Sequence, residues 1–257
     1  MGLSTTFRSW LLKGFGYYLH QAKTMPVGTD YEVDLIEKIG LKPNVIFDIG
    51  ANVGQTADFY RNIFPDSSIY CFEPIPETFK KLNTHCANID NVKCFNIAFG
   101  EKRETLNIHA YEGESSVLNS LTDEFQSEFD SESVARKSVR IEVDTLDHFV
   151  HEHNIAEIDL LKIDTEGFEV IVLKGGAELI ASGKIHAIIC EAGFMRSNKR
   201  NTYFGDINDL LEQHGYALFG IYEMGHLGFK NGKHYGNLLY ISKDYRENTY
   251  KNWQVGD

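Results

Sequence analysis

Positive charge is scarce in this sequence. Lysine and arginine together number 25 against 37 aspartates and glutamates, which leaves a formal net charge of −12. Proteins that bind a nucleic-acid backbone present a basic face, so this balance argues against DNA or RNA as a partner. It also disfavours attachment to an anionic membrane surface by charge alone.

Long apolar runs and cysteine pairs are missing as well. No stretch approaches the ~20 apolar residues that span a bilayer, and the N-terminus lacks the apolar core of a signal peptide. The four cysteines include no C-x-x-C pair, and three of them lie in apolar runs. Free buried thiols are typical of a reducing compartment, so we expect no transmembrane segment and a cytoplasmic protein.

Apolar, β-branched runs alternate with helical patterns from residue 44 onward. The sequence predicts strands at residues 45–47, 68–72, 92–97, 158–163 and 184–190, and two later strands at 216–222 and 238–242. Such alternation predicts an α/β domain with a mainly parallel sheet and helices on both faces. Continuous apolar runs further indicate strands buried on both faces.

We predict three parts along the chain: a helical extension at 1–43, an α/β domain at 44–245 and a tail at 246–257. A β/loop insertion at about 99–150 interrupts the domain, with strands at 105–110 and 138–143. Its acidic stretch, 112–133, is either a cover over the site or a surface loop. Residues 7–19 form either an interfacial amphipathic helix or a surface that packs on the domain or on a second copy.

The segment V-I-F-D-I-G-A-N-V-G carries a strand into a turn that opens a helix. Gly50 and Gly54 let the backbone bend and approach a ligand closely. Asn52, between them, tolerates left-handed geometry. The spacing G-x-x-x-G is neither the G-x-G-x-x-G of dinucleotide sites nor a phosphate-binding P-loop.

Acidic residues end the first two predicted strands. Asp48, beside the glycine turn, would repel the pyrophosphate that helix N-termini commonly bind, and it suits a ligand with an ammonium group. Glu73 can accept hydrogen bonds from both hydroxyls of a ribose. S-adenosylmethionine combines an amine, a sulfonium, a ribose and an adenine, so it fits both acids.

Five sequence marks occur in order: F-D-I-G-A-N-V-G, F-E-P, N-I-A-F-G, V-D-T-L-D, and L-L-K-I-D-T-E-G-F-E with V-L-K-G-G after it. Over roughly residues 45–241 the chain therefore resembles the FkbM family of methyltransferases. The resemblance implies a Rossmann-like class I methyltransferase fold with a mostly parallel seven-stranded sheet. It also implies S-adenosylmethionine as methyl donor and an oxygen of a sugar or natural product as acceptor.

The resemblance also implies which residues bind the cofactor. The methionine half would be lined by Asp48, Gly50, Ala51, Asn52 and Gly54. The ribose would be held by Glu73 and Pro74, and the adenine would lie near Asn96, Ile97 and Ala98. The transferring methyl would lie close to Asp164.

The acceptor side follows the next two strands. Ligands of such sheets bind beyond the carboxyl ends of the strands, which places Asp164, Glu166 and Glu191 near the reacting methyl as candidate catalytic residues. Either Asp164 acts as the base, or the three acids hold a divalent cation that lowers the pKa of the acceptor hydroxyl. Glu166 and Glu169 have a plainer interpretation, as acids that flank a helix N-terminus.

Other polar residues are open candidates for acceptor contacts. A partly basic loop after the fifth strand either binds an acidic sugar or is simply solvated, and two histidines of a glycine-rich segment are alternative bases. These residues are Arg196, Asn198, Lys199, Arg200 and Tyr203 in the loop, and His226 and His234 in the segment. His186, near the start of its strand, is interpreted as structural.

The sequence thus predicts an O-methyltransferase acting on a hydroxyl of a saccharide, such as a surface polysaccharide or a glycolipid sugar. A secondary-metabolite hydroxyl, as in a polyketide, is the alternative acceptor. An NAD-dependent oxidoreductase is disfavoured by the missing second glycine and by Asp48. A non-catalytic partner-binding domain is disfavoured by the intact pair Asp48 and Glu73, and a homo-oligomer stays open.

Overall fold

The computed structural model describes residues 10, 13–17, 24–111, 136–198, 200–225 and 234–250. The acidic stretch 112–133, Lys199 and His226 lie outside the described residues, as does much of the segment 7–19. The chain divides into two compact units, Met1–Leu41 and Lys42–Asp257. The first contains helix α1 (Tyr31–Val33), which continues as a π-helix, Asp34–Lys38.

Ten strands lie in the described part of the second unit. They are β1 (Val45–Ile49), β2 (Ser68–Phe72), β3 (Val92–Phe95), β4 (Ala98–Phe99), β5 (Glu104–Tyr111), β6 (Arg136–Asp144), β7 (Ile158–Ile163), β8 (Ile185–Gly193), β9 (Ala217–Gly225) and β10 (Tyr235–Ile241). Seven form one sheet in the order β3-β2-β1-β7-β8-β10-β9. The pairs from β3 to β8 are parallel, whereas β10 is antiparallel to both neighbours. This confirms the predicted Rossmann-like, mostly parallel α/β class.

Helices lie between these strands, and the last helix follows β10. They are α2 (Gln55–Ile63), α3 (Pro76–Cys86), α4 (Leu146–Glu152), α5 (Glu169–Lys174), α6 (Ala177–Ala181), α7 (Phe204–Gln213) and α8 (Lys243–Tyr250). Helix α8 runs across the position where the tail was predicted to begin. In the described parts of the chain, no helix combines the length and the apolar character needed to cross a membrane.

The core explains why the strands read as continuous apolar runs. Ile46, Phe47, Leu160 and Leu161, on β1 and β7, are fully buried. Phe47 also joins an aromatic cluster in which the rings of Phe72 and Phe149 lie 5.0 and 5.8 Å from its own. Because β1, β2 and β7 are held together in this way, their carboxyl ends keep fixed positions at one edge of the sheet.

The insertion forms a second sheet, in the order β4-β6-β5. The predicted third strand, 92–97, is too long, because strand β3 stops at Phe95. The chain then enters the second sheet, where Ala98 pairs with Val143 of β6. The two predicted insertion strands are present and extend further at both ends. Ile108, Ile141 and Val143 pack with Ile75 in a small apolar cluster.

Candidate active site

The glycine turn, residues 50–54, joins β1 to α2. Gly50 and Gly54 have φ values of 81° and 105°, and Asn52 has a φ of 51°, so all three adopt the predicted left-handed geometry. A β-carbon at Gly50 would overlap the backbone oxygen of Asp164. Glycine is thus required where the glycine turn contacts the chain that follows β7.

Glu73 connects the glycine turn to the end of β2. Its Oε2 accepts a hydrogen bond from the backbone N–H of Asn52 at 3.2 Å, and its Oε1 accepts one from Ile75 at 2.9 Å. Burial raises the pKa of Glu73 to about 7, although these two donors act in the opposite direction. The carboxyl group is thus oriented by the backbone on both sides.

Asn96 supports this arrangement from behind. Its Nδ2 donates to the backbone oxygens of Glu73 at 2.8 Å and Pro74 at 2.9 Å. The side chain therefore stabilises the turn after β2, and the neighbouring residues Ile97 and Ala98 line the cavity instead.

A cavity of about 740 Å³ lies along the carboxyl ends of the strands. Eight of the residues predicted to bind the cofactor line it: Gly50, Ala51, Asn52, Glu73, Pro74, Ile97, Ala98 and Asp164. Asp48, Gly54 and Asn96 lie outside its lining. Sequence reasoning missed the apolar wall that the insertion contributes through Leu106, Ile108, Ile141 and Val143.

Lys162 is a further lining residue that the sequence pattern did not single out. Its Nζ lies 3.4 Å from Oδ1 of the fully buried Asp48 and 3.1 Å from Oδ2 of Asp164. The signal was present in L-K-I-D, where a lysine stands two residues before the acid. The sequence alone could not show the position of Lys162, because it depends on the pairing of Lys162 with Asp48 across β7 and β1.

The acidic turn, residues 164–168, follows β7. Glu166 and Gly167 have φ values of 51° and 106°. Glu169 is fully buried, and its carboxylate accepts from the N–H of Thr165 at 3.1 Å, from the N–H of Gly167 at 3.2 Å and from the hydroxyl of Thr202. Glu169 therefore stabilises the acidic turn from the start of α5, as an acid flanking a helix N-terminus does.

Glu166 and Glu191 have different neighbours. Arg200 donates to Oε1 of Glu166 at 3.1 Å, and Asn201 donates to Oε2 of Glu191 at 2.8 Å. Burial raises the pKa of each glutamate to about 7, and the charge of Arg200 opposes that rise in both. Glu166 lines the cavity, whereas Glu191 lies within β8 rather than at its end and is outside the lining.

Residues 48–218 match the family model described as the methyltransferase FkbM domain. The chain belongs to this family. It is 27% identical over 160 residues to the 2-O-methyltransferase NoeI of Sinorhizobium fredii, covering 58% of this chain and 62% of that one. It is 29% identical over 142 residues to Methyltransferase 1 of Beauveria bassiana, covering 51% and 57%. These matches span less than two thirds of either relative.

Solved structures with similar folds share little sequence with this FkbM domain. A precorrin-6y C5,15-methyltransferase from Geobacter metallireducens has a TM-score of 0.43 and 13% identity, covering 83% of this chain and 90% of that one. The Aeropyrum pernix fibrillarin, in complex with S-adenosyl-L-methionine, has a TM-score of 0.43 and 14% identity, covering 79% and 68%.

The predicted metal set does not come together in the FkbM domain. Within the described ranges, the groups of three acids or histidines with ligand atoms within 4.8 Å of one another are Asp144, His148 and Glu152, and Glu157, Asp159 and His186. The set Asp164, Glu166 and Glu191 is not among them, and its two glutamates accept hydrogen bonds from Arg200 and Asn201 instead. The structure therefore does not support a divalent cation at these acids.

The basic loop after β8 is largely satisfied by its own contacts. The guanidinium carbon of Arg196 lies 4.0 Å from the ring centroid of Tyr203, and Asn198 donates to Asn201 at 2.9 Å. The ring Nε2 of His234 is buried and has no hydrogen-bond partner among the described residues. His186 pairs with Asp159 at 3.0 Å near the amino ends of β8 and β7, away from the carboxyl ends that line the cavity.

Proposed function

We propose that the protein is an S-adenosylmethionine-dependent O-methyltransferase that transfers a methyl group to a hydroxyl of a saccharide. One observation carries the proposal: a single cavity is lined both by the glycine turn with Glu73 and by the acidic turn with Asp164 and Glu166. A cofactor and an acceptor bound at these two turns would meet at the methyl group. Membership of a methyltransferase family supports the same reaction.

The cofactor half of the cavity suits S-adenosylmethionine better than a dinucleotide. Glu73 presents an oriented carboxyl group to ribose hydroxyls. Both lysines among the described lining residues are ion-paired: Lys162 with Asp48 and Asp164, and Lys102 with Glu104 at 3.0 Å. A pyrophosphate would thus meet acids and no free cation, whereas a sulfonium and an ammonium would meet countercharges.

Methyl transfer is an in-line displacement. The acceptor oxygen attacks the methyl carbon, the carbon–sulfur bond breaks with its electron pair moving to sulfur, and the hydroxyl proton passes to a base. Glu166 is suited to that role because burial raises its pKa to about 7, closer to a neutral working pH than that of an ordinary carboxyl group. Asp164, held by Lys162, would orient the acceptor hydroxyl beside it.

A polar acceptor is supported by the side chains near the acidic turn. Asp164 and Glu166 offer oxygens to hydroxyl donors, and Arg200 lies within hydrogen-bond reach of Glu166. Adjacent hydroxyls of a sugar ring match such a set of acceptors. The relative from Sinorhizobium fredii is named a 2-O-methyltransferase, which supports oxygen as the methylated atom.

The apolar wall of the cavity favours a second acceptor class. Leu106, Ile108, Ile141 and Val143 present a surface that a less polar molecule, such as a polyketide hydroxyl substrate, would cover. Transfer to polyketides and not to saccharides would replace the first proposal by this one.

Calorimetric titration with S-adenosylmethionine, S-adenosylhomocysteine and NAD is the first test. We expect the first two to bind and NAD not to bind, and we then expect transfer of a labelled methyl group to members of a saccharide panel. Binding of NAD alone would contradict the proposal. The absence of binding by all three would favour a partner-binding role. The free cysteines support the proposed cytoplasmic location, which cell fractionation tests.

A further inference from the structure

Lys162 connects the two halves of the proposed active site. It stands opposite Asp48 in the parallel pairing of β1 and β7, so the two side chains project from the same face of the sheet. Asp164 follows two residues later. The Nζ atom lies 3.4 Å from Oδ1 of Asp48 and 3.1 Å from Oδ2 of Asp164, and it therefore bridges a buried acid to one that lines the cavity.

The bridge is ionic. Burial acts to lower the pKa of Lys162, but the attraction of Asp48 and Asp164 outweighs it and the pKa is raised above its ordinary value. Lys162 is therefore a cation and cannot serve as the base for the acceptor proton. Burial raises the pKa of Asp48, and the positive charge of Lys162 acts in the opposite direction.

The other ionisable groups near this bridge do not replace the lysine, and the nearby cation Arg200 is paired with Glu166. Glu73, at the end of β2, is acidic, and so is Glu191 on the far side of Lys162. Cys71, opposite Asp48 on β2, has a raised pKa and remains a neutral thiol. Among the described groups that act on Asp48, Lys162 is therefore the cation that compensates its buried charge.

We propose that Lys162 is a positioning residue for methyl transfer. Anchored by Asp48 beneath the glycine turn, it donates to Oδ2 of Asp164 and so holds that carboxylate at the junction between the cofactor and acceptor parts of the cavity. The inference rests on the proposed function, because it assigns the position of Asp164 relative to a bound S-adenosylmethionine. Asp48 then acts on the ligand through Lys162 and not by direct contact.

Electrostatic repulsion alone makes a different prediction for the loss of Lys162. S-adenosylmethionine carries a sulfonium cation, and a lysine that did no more than lie nearby would repel it. Removal of that lysine would then strengthen cofactor binding. If Lys162 positions Asp164, its removal weakens binding, because the carboxylate is released and the charge of Asp48 is left buried without a partner.

The experiment compares Lys162→Met, Lys162→Arg and the double variant Asp48→Asn/Lys162→Met with the wild type. Lys184→Met, at an exposed lysine just before β8, is the matched control. Each protein is titrated with S-adenosylmethionine by calorimetry, and its thermal unfolding is followed without ligand. The double variant removes both members of the buried ion pair, so it provides a folded protein even if Lys162→Met unfolds.

We expect Lys162→Met to lower the affinity for S-adenosylmethionine about tenfold or more and to lower the unfolding midpoint. Lys162→Arg should retain affinity within about threefold, since it restores the cation. The double variant should recover the unfolding midpoint but not the affinity, because Asp164 stays unsupported. Lys184→Met should match the wild type in both measurements.

Two results would overturn the inference while leaving the proposed function intact. One is wild-type or tighter binding of S-adenosylmethionine by Lys162→Met, as repulsion between the lysine and the sulfonium predicts. The other is a double variant that recovers affinity together with stability, which would make the ion pair structural only. If the wild-type protein itself does not bind S-adenosylmethionine, the proposed function fails first, and the inference fails with it.

Discussion

Asp159 and Glu166 lie near opposite ends of β7, and their pKa values are shifted in opposite directions. Asp159 accepts hydrogen bonds from the N–H groups of Asn44 and Val45 at 2.8 and 2.9 Å and pairs with His186. Burial acts to raise its pKa, but these partners outweigh it and the pKa is lowered. Burial dominates at Glu166, and its pKa is raised to about 7.

The contrast separates a carboxylate whose partners favour its charged form from one whose burial favours its protonated form. At the amino end of β7, every partner of Asp159 favours its charged form. At the carboxyl end, Glu166, Glu191 and Asp164 repel one another, and Arg200 compensates only in part. Perturbed groups of this kind cluster at functional sites because catalysis needs a pKa near the working pH.

The largest effect should come from Glu166→Gln. If Glu166 accepts the acceptor proton, the rate of methyl transfer should fall about 10²- to 10⁴-fold, because the amide cannot act as a base. The affinity for S-adenosylmethionine should stay within about threefold. The measurement is kcat with a saccharide acceptor found in the panel. A near wild-type kcat would contradict the role of Glu166 as the base, and Glu166 would then differ from Asp159 only in its pKa.

Glu73→Ala tests the cofactor side of the same edge of the sheet. Removing a carboxyl group that holds a ribose and accepts from Asn52 and Ile75 should weaken S-adenosylmethionine binding about 10- to 100-fold. Calorimetry measures this directly. Unchanged affinity would mean that Glu73 stabilises the turn without binding the ligand.

Asp159→Ala tests the amino end of β7. The loss of an acceptor that satisfies two backbone N–H groups should lower the free energy of unfolding by about 1–3 kcal/mol while cofactor affinity stays the same. Urea denaturation and calorimetry measure the two quantities. Glu157→Ala is the matched control, because Glu157 is exposed and should cost less than about 0.5 kcal/mol. A loss of cofactor affinity in Asp159→Ala would show that the two ends are coupled.

A further effect should appear in the pH dependence of stability. The folded-state pKa values of Glu73, Glu166 and Glu191 lie near 7, above the ordinary value of 4.5. Folding therefore favours their protonated forms, and that stabilisation is present below about pH 4.5 and is lost as the pH rises through 7. His186, whose pKa is also raised, acts in the same direction.

The ligand-free protein should thus unfold at a lower urea concentration at pH 7.5 than at pH 5.5. Glu166→Gln should reduce this difference, since the amide no longer titrates. Stability that increases over this pH range would contradict the assignment of raised pKa values to the three glutamates.

The local sequence pattern was sufficient to predict the glycine turn and the acids at the ends of strands. Gly50, Asn52 and Gly54 adopt the predicted backbone, and Glu73 and Asp164 line the predicted edge. Such features depend on residues that are close in sequence, because glycine spacing and strand ends are local properties. The motifs that carry the family resemblance are likewise short, contiguous segments, so the sequence was sufficient to recognise them.

Other features required neighbours that are distant in the chain. The sequence alone could not show that Asn96 supports the turn after β2, or that Arg200 and Asn201 engage two of the acids predicted as metal ligands. The end of the third strand at Phe95 depended on the pairing of Ala98 with Val143. Each of these outcomes was decided by contacts between separate elements.

The sequence by itself therefore determined the α/β class, the glycine turn and the acids at the strand ends, because short-range periodicity and backbone freedom specify them. Only the tertiary structure decided which of those acids faces the cavity, which lies behind it, and which cation compensates a buried charge. Lys162 shows the reason: its two partners come from adjacent strands, and burial makes their separation, not their sequence spacing, control the electrostatics.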